Sequence, residues 1–201
     1  MTMRVAVAAS GRGSNLEALL QSLGAGAPAR VVLVLSDRAA AGALAMARAR
    51  GVATEVLTDP SSAAEWLAAL EREGTDLVVL AGYLKLVPAG VIELYRGRIV
   101  NIHPALLPAF GGRGMYGRRV HQAVLASGAR ESGASVHLVD EVYDRGEVLA
   151  RARVPVLPDD DPDRLAARVL EAEHRLLPAV VLAAARAGRP VPLPEPVESH
   201  P

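Results

Sequence analysis

The sequence predicts an α/β fold: a Rossmann-like, mostly parallel sheet with helices on both faces, in a single domain. Three observations carry this. Short apolar runs of strand length alternate with segments of helical spacing through the first half of the chain. The first apolar run opens directly into a Gly-rich turn and a helix, the arrangement of a βαβ crossover. A pair of polar, chemically versatile residues, Asn101 and His103, stands at the end of a later run, where open α/β sheets place their chemistry.

Val5-Ala6-Val7-Ala8-Ala9 reads as the first buried strand, too apolar for one face alone. Ser10-Gly11-Arg12-Gly13-Ser14-Asn15 follows, and Leu16, Ala18, Leu19 and Leu20 then recur at helical spacing. A Gly-rich turn before a helix start holds anions, because free backbone N–H groups and the helix dipole point at them. Ser14 or Asn15 can cap that helix or touch a phosphate. The same residues equally describe an ordinary tight turn with a cap. Neither the full dinucleotide fingerprint nor the Gly-Lys-Ser/Thr of a P-loop is present, so a single phosphate suits the turn better than either ligand.

Val31-Val32-Leu33-Val34-Leu35 is the second strand, with an Ala-rich helix over 39–50 closed by Gly51. Residues 52–57 form a third strand. Asp59-Pro60-Ser61 is expected to open a helix whose buried face carries Trp66, Leu67 and Leu70, with Trp66 as packing. Asp76-Leu77-Val78-Val79-Leu80 is the fourth strand, and residues 81–88 run out from its end. A short helix spans 91–95, and a strand over 98–102 leads into Asn101-Ile102-His103-Pro104-Ala105-Leu106-Leu107-Pro108. Asn101 and His103 alternate across Ile102, so an extended chain projects both to one side. Pro104 stops further pairing. Residues 108–119, rich in Gly with Phe110 and Tyr116, read as a mobile lid-like loop.

A helix resumes over 120–126, and 134–139 alternates as a strand containing His137. Asp140-Glu141-Val142-Tyr143-Asp144-Arg145-Gly146 is an acidic loop, and 148–156 is a strand paired as a hairpin-like extension of the sheet. Asp159-Asp160-Asp161-Pro162 starts a long helix to about Ala187, with acids where the dipole favours them, and Gly188 ends it. The domain is therefore expected to span 1–187, with a Pro-rich surface tail over 188–201.

Bulk composition narrows the function. The chain has 201 residues, of which 22 are Lys or Arg and 22 Asp or Glu, so net charge is zero and no general grip on nucleic acid or an acidic membrane is expected. Lys85 is the sole lysine. Without cysteine, disulfides, thiolate catalysis and Cys-ligated zinc are excluded. The five histidines are scattered, so no metal site is expected. No apolar run approaches a membrane span, and no secretory leader is evident, so a cytoplasmic location is expected.

Four segments occur in one order: Ser10-Gly11-Arg12-Gly13-Ser14-Asn15-Leu16, Leu80-Ala81-Gly82-Tyr83-Leu84, Asn101 to Pro108, and Ser135-Val136-His137 with Asp144-Arg145-Gly146. Together they resemble the folate-dependent phosphoribosylglycinamide formyltransferases of purine biosynthesis, over residues 5 to about 178. The resemblance implies the formyltransferase fold and transfer of a formyl group from 10-formyltetrahydrofolate to glycinamide ribonucleotide. It makes Asn101, His103 and Asp144 the catalytic set. The residue types suit acyl transfer to an amine: a carboxamide can donate to a developing oxyanion, an imidazole can move protons near neutrality, and a carboxylate can raise and orient that imidazole. Asp140 and Glu141 lie close enough to compete with Asp144 for the last role.

The resemblance further implies that Gly13, Ser14 and Asn15 hold the substrate phosphate and that Glu173 accepts from the ribose hydroxyls. It implies a folate pocket lined by Leu84, Lys85, Leu86 and Val87, partly through backbone groups, with Asn101, and closed by Asp140, Glu141, Val142 and Tyr143. His137 fits either support of the catalytic set or a strand residue facing the sheet. His121 and His174 are read as structural, and Leu107-Pro108 as a cis peptide. The segment Gly111-Gly112-Arg113-Gly114-Met115-Tyr116-Gly117 is longer than in many members. The Arg that often holds the folate tail is missing near 59–62, which leaves Lys85 or Arg113 to hold it, or a tail held loosely. A homodimer is one assembly left open.

Rival readings are weaker. A methionyl-tRNA formyltransferase carries a further RNA-binding domain, and a formyltetrahydrofolate hydrolase carries an N-terminal regulatory one, neither of which is expected here. A silent binding module would lack Asn, His or Asp. A nicotinamide-dependent dehydrogenase would want the fuller Gly fingerprint, although Asp37 could serve its ribose contact.

Overall fold

The computed structural model describes residues 2–194. In chain order the elements are β1 (Met3–Ala8), α1 (Ser14–Ser22), β2 (Ala29–Ser36), α2 (Gly42–Ala49), β3 (Ala53–Val56), α3 (Ala63–Arg72), β4 (Leu77–Leu80), α4 (Ala89–Leu94), β5 (Ile99–His103), α5 (Arg118–Ala126), β6 (Glu131–Leu138), β7 (Val148–Pro155) and α6 (Pro162–Ala187). The strands form one sheet in the order β3-β2-β1-β4-β5-β6-β7. The first five are parallel, and β6 and β7 add antiparallel, as the hairpin reading expected.

Both faces of the sheet are covered. Val5 and Val7 of β1 point into a core shared with Leu16, Leu19, Leu44 and Val181, contributed by α1, α2 and α6. Ala6 and Ala8, the alternate residues, point into a second core with Trp66, Leu70, Val91 and Ile92 of α3 and α4. This explains why the parallel strands read as continuous apolar runs rather than alternating ones.

Sheet order reverses between β1 and β4. The chain leaves their carboxyl ends in opposite directions, and a crevice opens there. The Gly-rich turn after β1 and the 81–88 segment after β4 flank it. Ser10 ties them together: its N–H donates to Gly82 O at 3.0 Å and its Oγ accepts from Leu84 N at 3.0 Å.

Three segments differ from expectation. α3 begins at Ala63, not at Asp59, because Asp59 folds into a turn that accepts from Ser61 N and Oγ, while Ser62 Oγ caps the helix by accepting from Glu65 N. Trp66, fully buried, donates to Pro60 O across that turn and meets Tyr83 edge-on at 5.3 Å. α2 begins at Gly42 rather than 39. Beyond α6, closed by left-handed Gly188, residues 189–194 do not stand away from the surface: Pro190 is buried and Leu193 N donates to Leu149 O at 2.8 Å. The rest of the expected tail, 195–201 with His200, lies outside the described residues.

Candidate active site

β5 ends on Asn101 and His103, and β6 runs antiparallel beside it with Asn101 opposite His137 and His103 opposite Ser135. The pairing brings a second imidazole to the site. His137 Nδ1 lies 2.7 Å from Leu138 O and must donate to it, which leaves Nε2 to accept from Asn101 Nδ2 at 3.0 Å. One amide hydrogen of Asn101 is thereby fixed, and the other remains for a ligand.

The chain after β5 is held by the hairpin. Ser135 Oγ donates to Ala105 O at 2.7 Å and accepts from Leu107 N at 3.0 Å, and the Arg151 guanidinium donates twice to Leu107 O. The Leu107-Pro108 peptide is cis, as expected. Phe110 then adopts a left-handed φ of 56° and turns its carbonyl onto His103 Nε2 at 2.9 Å. Because a carbonyl only accepts, Nε2 carries a proton, and Nδ1 is the nitrogen that faces Asp144.

Asp144, also left-handed at φ 55°, places Oδ2 3.6 Å from His103 Nδ1 and Oδ1 3.4 Å from His137 Nε2. Gly112 N donates to Oδ2 at 2.8 Å. Gly111 is closely packed: a Cβ there would lie 2.5 Å from Leu107 Cδ2 and 3.1 Å from Asp144 Cβ. The 110–112 segment thus clamps both members of the His–Asp pair through its backbone.

Electrostatics follow from enclosure. Burial pulls the His103 imidazole below its ordinary value, against the opposing pull of Asp144 and the Phe110 carbonyl. Burial pushes the Asp144 carboxyl up, but the neighbouring His137 and His103 rings and the Gly112 N–H outweigh it and leave the group below the usual carboxylate value.

These residues line a cavity of about 530 Å³. Another wall is made by α1 and α6, which pack together and place Asn15 Nδ2 2.5 Å from Glu173 Oε2. Burial raises the Glu173 carboxyl, with the Asn15 hydrogen bond opposing it, and Asn15 Oδ1 is enclosed without a partner. Gly13 N-caps α1 in the left-handed region at φ 88°, with no side chain capping the helix. Leu84, Lys85, Leu86 and Val87 form a further wall, faced by Asp140, Val142 and Tyr143. Leu86 and Val142 are half or more exposed and give the cavity an apolar rim.

Not every expected residue reaches the cavity. Glu141 is not among the lining residues; its exposed carboxylate pairs with Arg96 at 2.9 Å. Arg113 is also absent from the lining, whereas Lys85 is part of it. Gly13 and Ser14 stand at the turn rather than in the cavity wall itself. The Leu84 N–H donates to Ser10 Oγ. Conversely, Arg12, Tyr116, Arg118 and His121 line the cavity although the sequence singled out none of them for it. His121, read as structural, is buried in the wall with Nδ1 unpartnered. Its place in the first turn of α5, directly after the Gly-rich loop, was the available signal.

The fold and site together define an α/β protein whose cavity, at the switch point of one sheet, brings together the Asn101 amide, the His103 and His137 imidazoles and the Asp144 carboxylate. Residues 3–181 match the formyl transferase family, and the chain belongs to that family. It is 44% identical to the chloroplastic phosphoribosylglycinamide formyltransferase of Arabidopsis thaliana, over 89% of this chain and 64% of that protein. It is 36% identical to the phosphoribosylglycinamide formyltransferase of Escherichia coli K12, over 89% of this chain and 85% of that one. The crystal structure of the enzyme of that name from Brucella melitensis superposes with a TM-score of 0.83 at 45% identity, covering 92% of this chain and 96% of the other. The chain thus spans somewhat under two thirds of the Arabidopsis relative's length. Among the described residues, no helix is long and apolar enough to cross a membrane.

Proposed function

We propose that this chain transfers a formyl group from 10-formyltetrahydrofolate to the amine of glycinamide ribonucleotide, a step of purine biosynthesis carried out in the cytoplasm. The observation that carries the reading is the convergence of Asn101, His103 and Asp144 on one cavity that also holds the Asn15–Glu173 pair and an apolar rim. The names of the relatives support the choice of substrates.

The folate supplies a formyl carbon bonded to nitrogen. The acceptor amine forms a bond to that carbon, the bond to the folate nitrogen breaks, and one proton moves from the acceptor nitrogen to the departing one. Asn101 Nδ2, with one hydrogen committed to His137, uses the other to stabilise charge on the formyl oxygen. His103 receives the proton at Nδ1, since Nε2 is already protonated against Phe110 O. Asp144 balances the positive charge that His103 then carries and keeps the ring in place.

The other walls orient the partners. Leu84, Leu86, Val87, Val142 and Tyr143 fit the flat ring of a folate, and Lys85 is the cation in that wall for its acidic tail. Glu173 is the acceptor for ribose hydroxyls, and the turn ending at Gly13, Ser14 and Asn15 suits a phosphate at an uncapped helix start. The test is loss of the formyl group followed spectroscopically with and without ribonucleotide. Loss that requires the ribonucleotide supports the reading; equal loss without it would mean hydrolysis instead.

A further inference from the structure

A phosphate monoester carries roughly −1.5 to −2 charges at neutral pH, whereas a helix N-terminus offers about half a positive charge. The start of α1 alone therefore leaves more than one negative charge uncompensated. Lys85, Arg118 and Arg12 are the cations that line the cavity. Arg118 is committed to Asp163, with Nε and Nη2 donating at 2.9 and 3.2 Å, and so bridges α5 to α6. Lys85 belongs to the opposite wall, after β4. Beside Glu173, α6 adds Ala166, Leu170 and the carboxylate of Asp163 to the lining, and no cation.

Arg12 remains, and it sits in the turn itself, one residue before the N-cap of α1. Its backbone is held firmly: Ala43 N donates to Gly11 O at 3.2 Å, and the Cα of Gly13 packs so closely on Ala43 that a Cβ there would meet it at 2.9 Å. The side chain is exposed, lines the cavity, and pairs with no carboxylate among the described residues. A second feature marks the same place as a ligand site: Asn15, nine-tenths buried, has Oδ1 enclosed without a partner.

We propose that Arg12 is the phosphate-recognition residue of the ribonucleotide site, its guanidinium pairing with the phosphate held by the turn and by the start of α1. The proposal rests on the formyl-transfer reading above. A planar fork on a fixed backbone is suited to two-point contact with phosphate oxygens, and it supplies the whole charge that the helix start lacks.

The experiment compares two acceptors, glycinamide ribonucleotide and the same glycinamide ribonucleoside without phosphate, with the native chain, Arg12→Gln and Arg12→Lys. The native chain is expected to prefer the ribonucleotide in kcat/KM. Arg12→Gln is expected to shrink that preference by roughly 10- to 100-fold, carried in KM, and Arg12→Lys to recover part of it. An unchanged preference in Arg12→Gln would overturn the proposal, and so would an equal loss on both acceptors. If the native chain formylates neither acceptor, the formyl-transfer reading fails separately. Calorimetric titration with the ribonucleotide then decides: about tenfold or greater weakening in Arg12→Gln upholds the assignment, and equal affinity ends it.

Discussion

The Asp144 carboxylate lies 3.6 Å from Nδ1 of His103, and both side chains are almost wholly enclosed, at 10% and 4% exposure. A proton arriving on His103 therefore finds its counter-charge in place, in surroundings that screen it little. The same carboxylate reaches His137, which orients Asn101, so the three groups assigned to the chemistry form one connected set.

Replacing Asp144 by Asn removes the charge that holds the His103 imidazole up and leaves the burial that pulls it down. The acid limb of the kcat/KM profile, which reports protonation of His103, is expected to move to lower pH, with the plateau falling roughly 10²–10⁴-fold. A limb that stays in place would show that Asp144 does not act through His103.

His103→Ala is expected to lower kcat by roughly 10²–10⁴-fold while folate affinity is retained, since the folate wall is built by other residues. Turnover kinetics and fluorescence titration with the folate separate the two effects. Retained turnover would remove the proton from this ring.

Glu173 is raised above its ordinary value of 4.5 by burial. A group with a higher pKa folded than unfolded contributes its stability at pH below the unfolded value and loses it as pH rises through the folded one. At pH above its ordinary value the buried carboxyl is thus a net cost to folding. Glu173→Gln keeps an oxygen for Asn15 and is expected to raise Tm at neutral pH, with the gain fading below about pH 4.5. The same variant should weaken the ribonucleotide far more than the folate. Thermal melts across pH, read beside the two KM values, check both halves.

Gly111→Ala would drive a methyl group against Leu107 and Asp144. Leu107 and Asp144 must then give way, Asp144 by a few tenths of an ångström, and the rate is expected to fall by less than the roughly 10²-fold that a displacement of about 1 Å costs at a reacting group. Steady-state kinetics should show that loss in kcat, and a thermal melt in which the variant's Tm falls only modestly would separate it from unfolding.

Much of this architecture was legible in the sequence, because burial on both faces of a parallel sheet writes itself as short apolar runs such as 31–35 and 77–80. The alternation of Asn101 and His103 across Ile102 predicts their common face, and both line the cavity. Local turn chemistry was harder. Asp59-Pro60 carries a helix-start signal, but Ser62 with Glu65 three residues later carries a better one, and the structure uses it. Pairings between distant segments left no trace in spacing: Asn15 and Glu173 are 158 residues apart. The clamp on His103 and Asp144 is made by the Phe110 carbonyl and the Gly112 N–H, backbone groups that no side-chain pattern reveals. Glu141 looked equivalent to its acidic neighbours until the fold brought Arg96 beside it.

The most direct measurement follows the formyl carbon itself. The chain is incubated with 10-formyltetrahydrofolate labelled with carbon-13 in the formyl group, together with glycinamide ribonucleotide, and the label is located by NMR. Formyl transfer predicts that the label appears as an amide on the ribonucleotide's amine nitrogen, at the rate at which it leaves the folate. Label appearing as free formate, or remaining on the folate with both ligands bound, would contradict it.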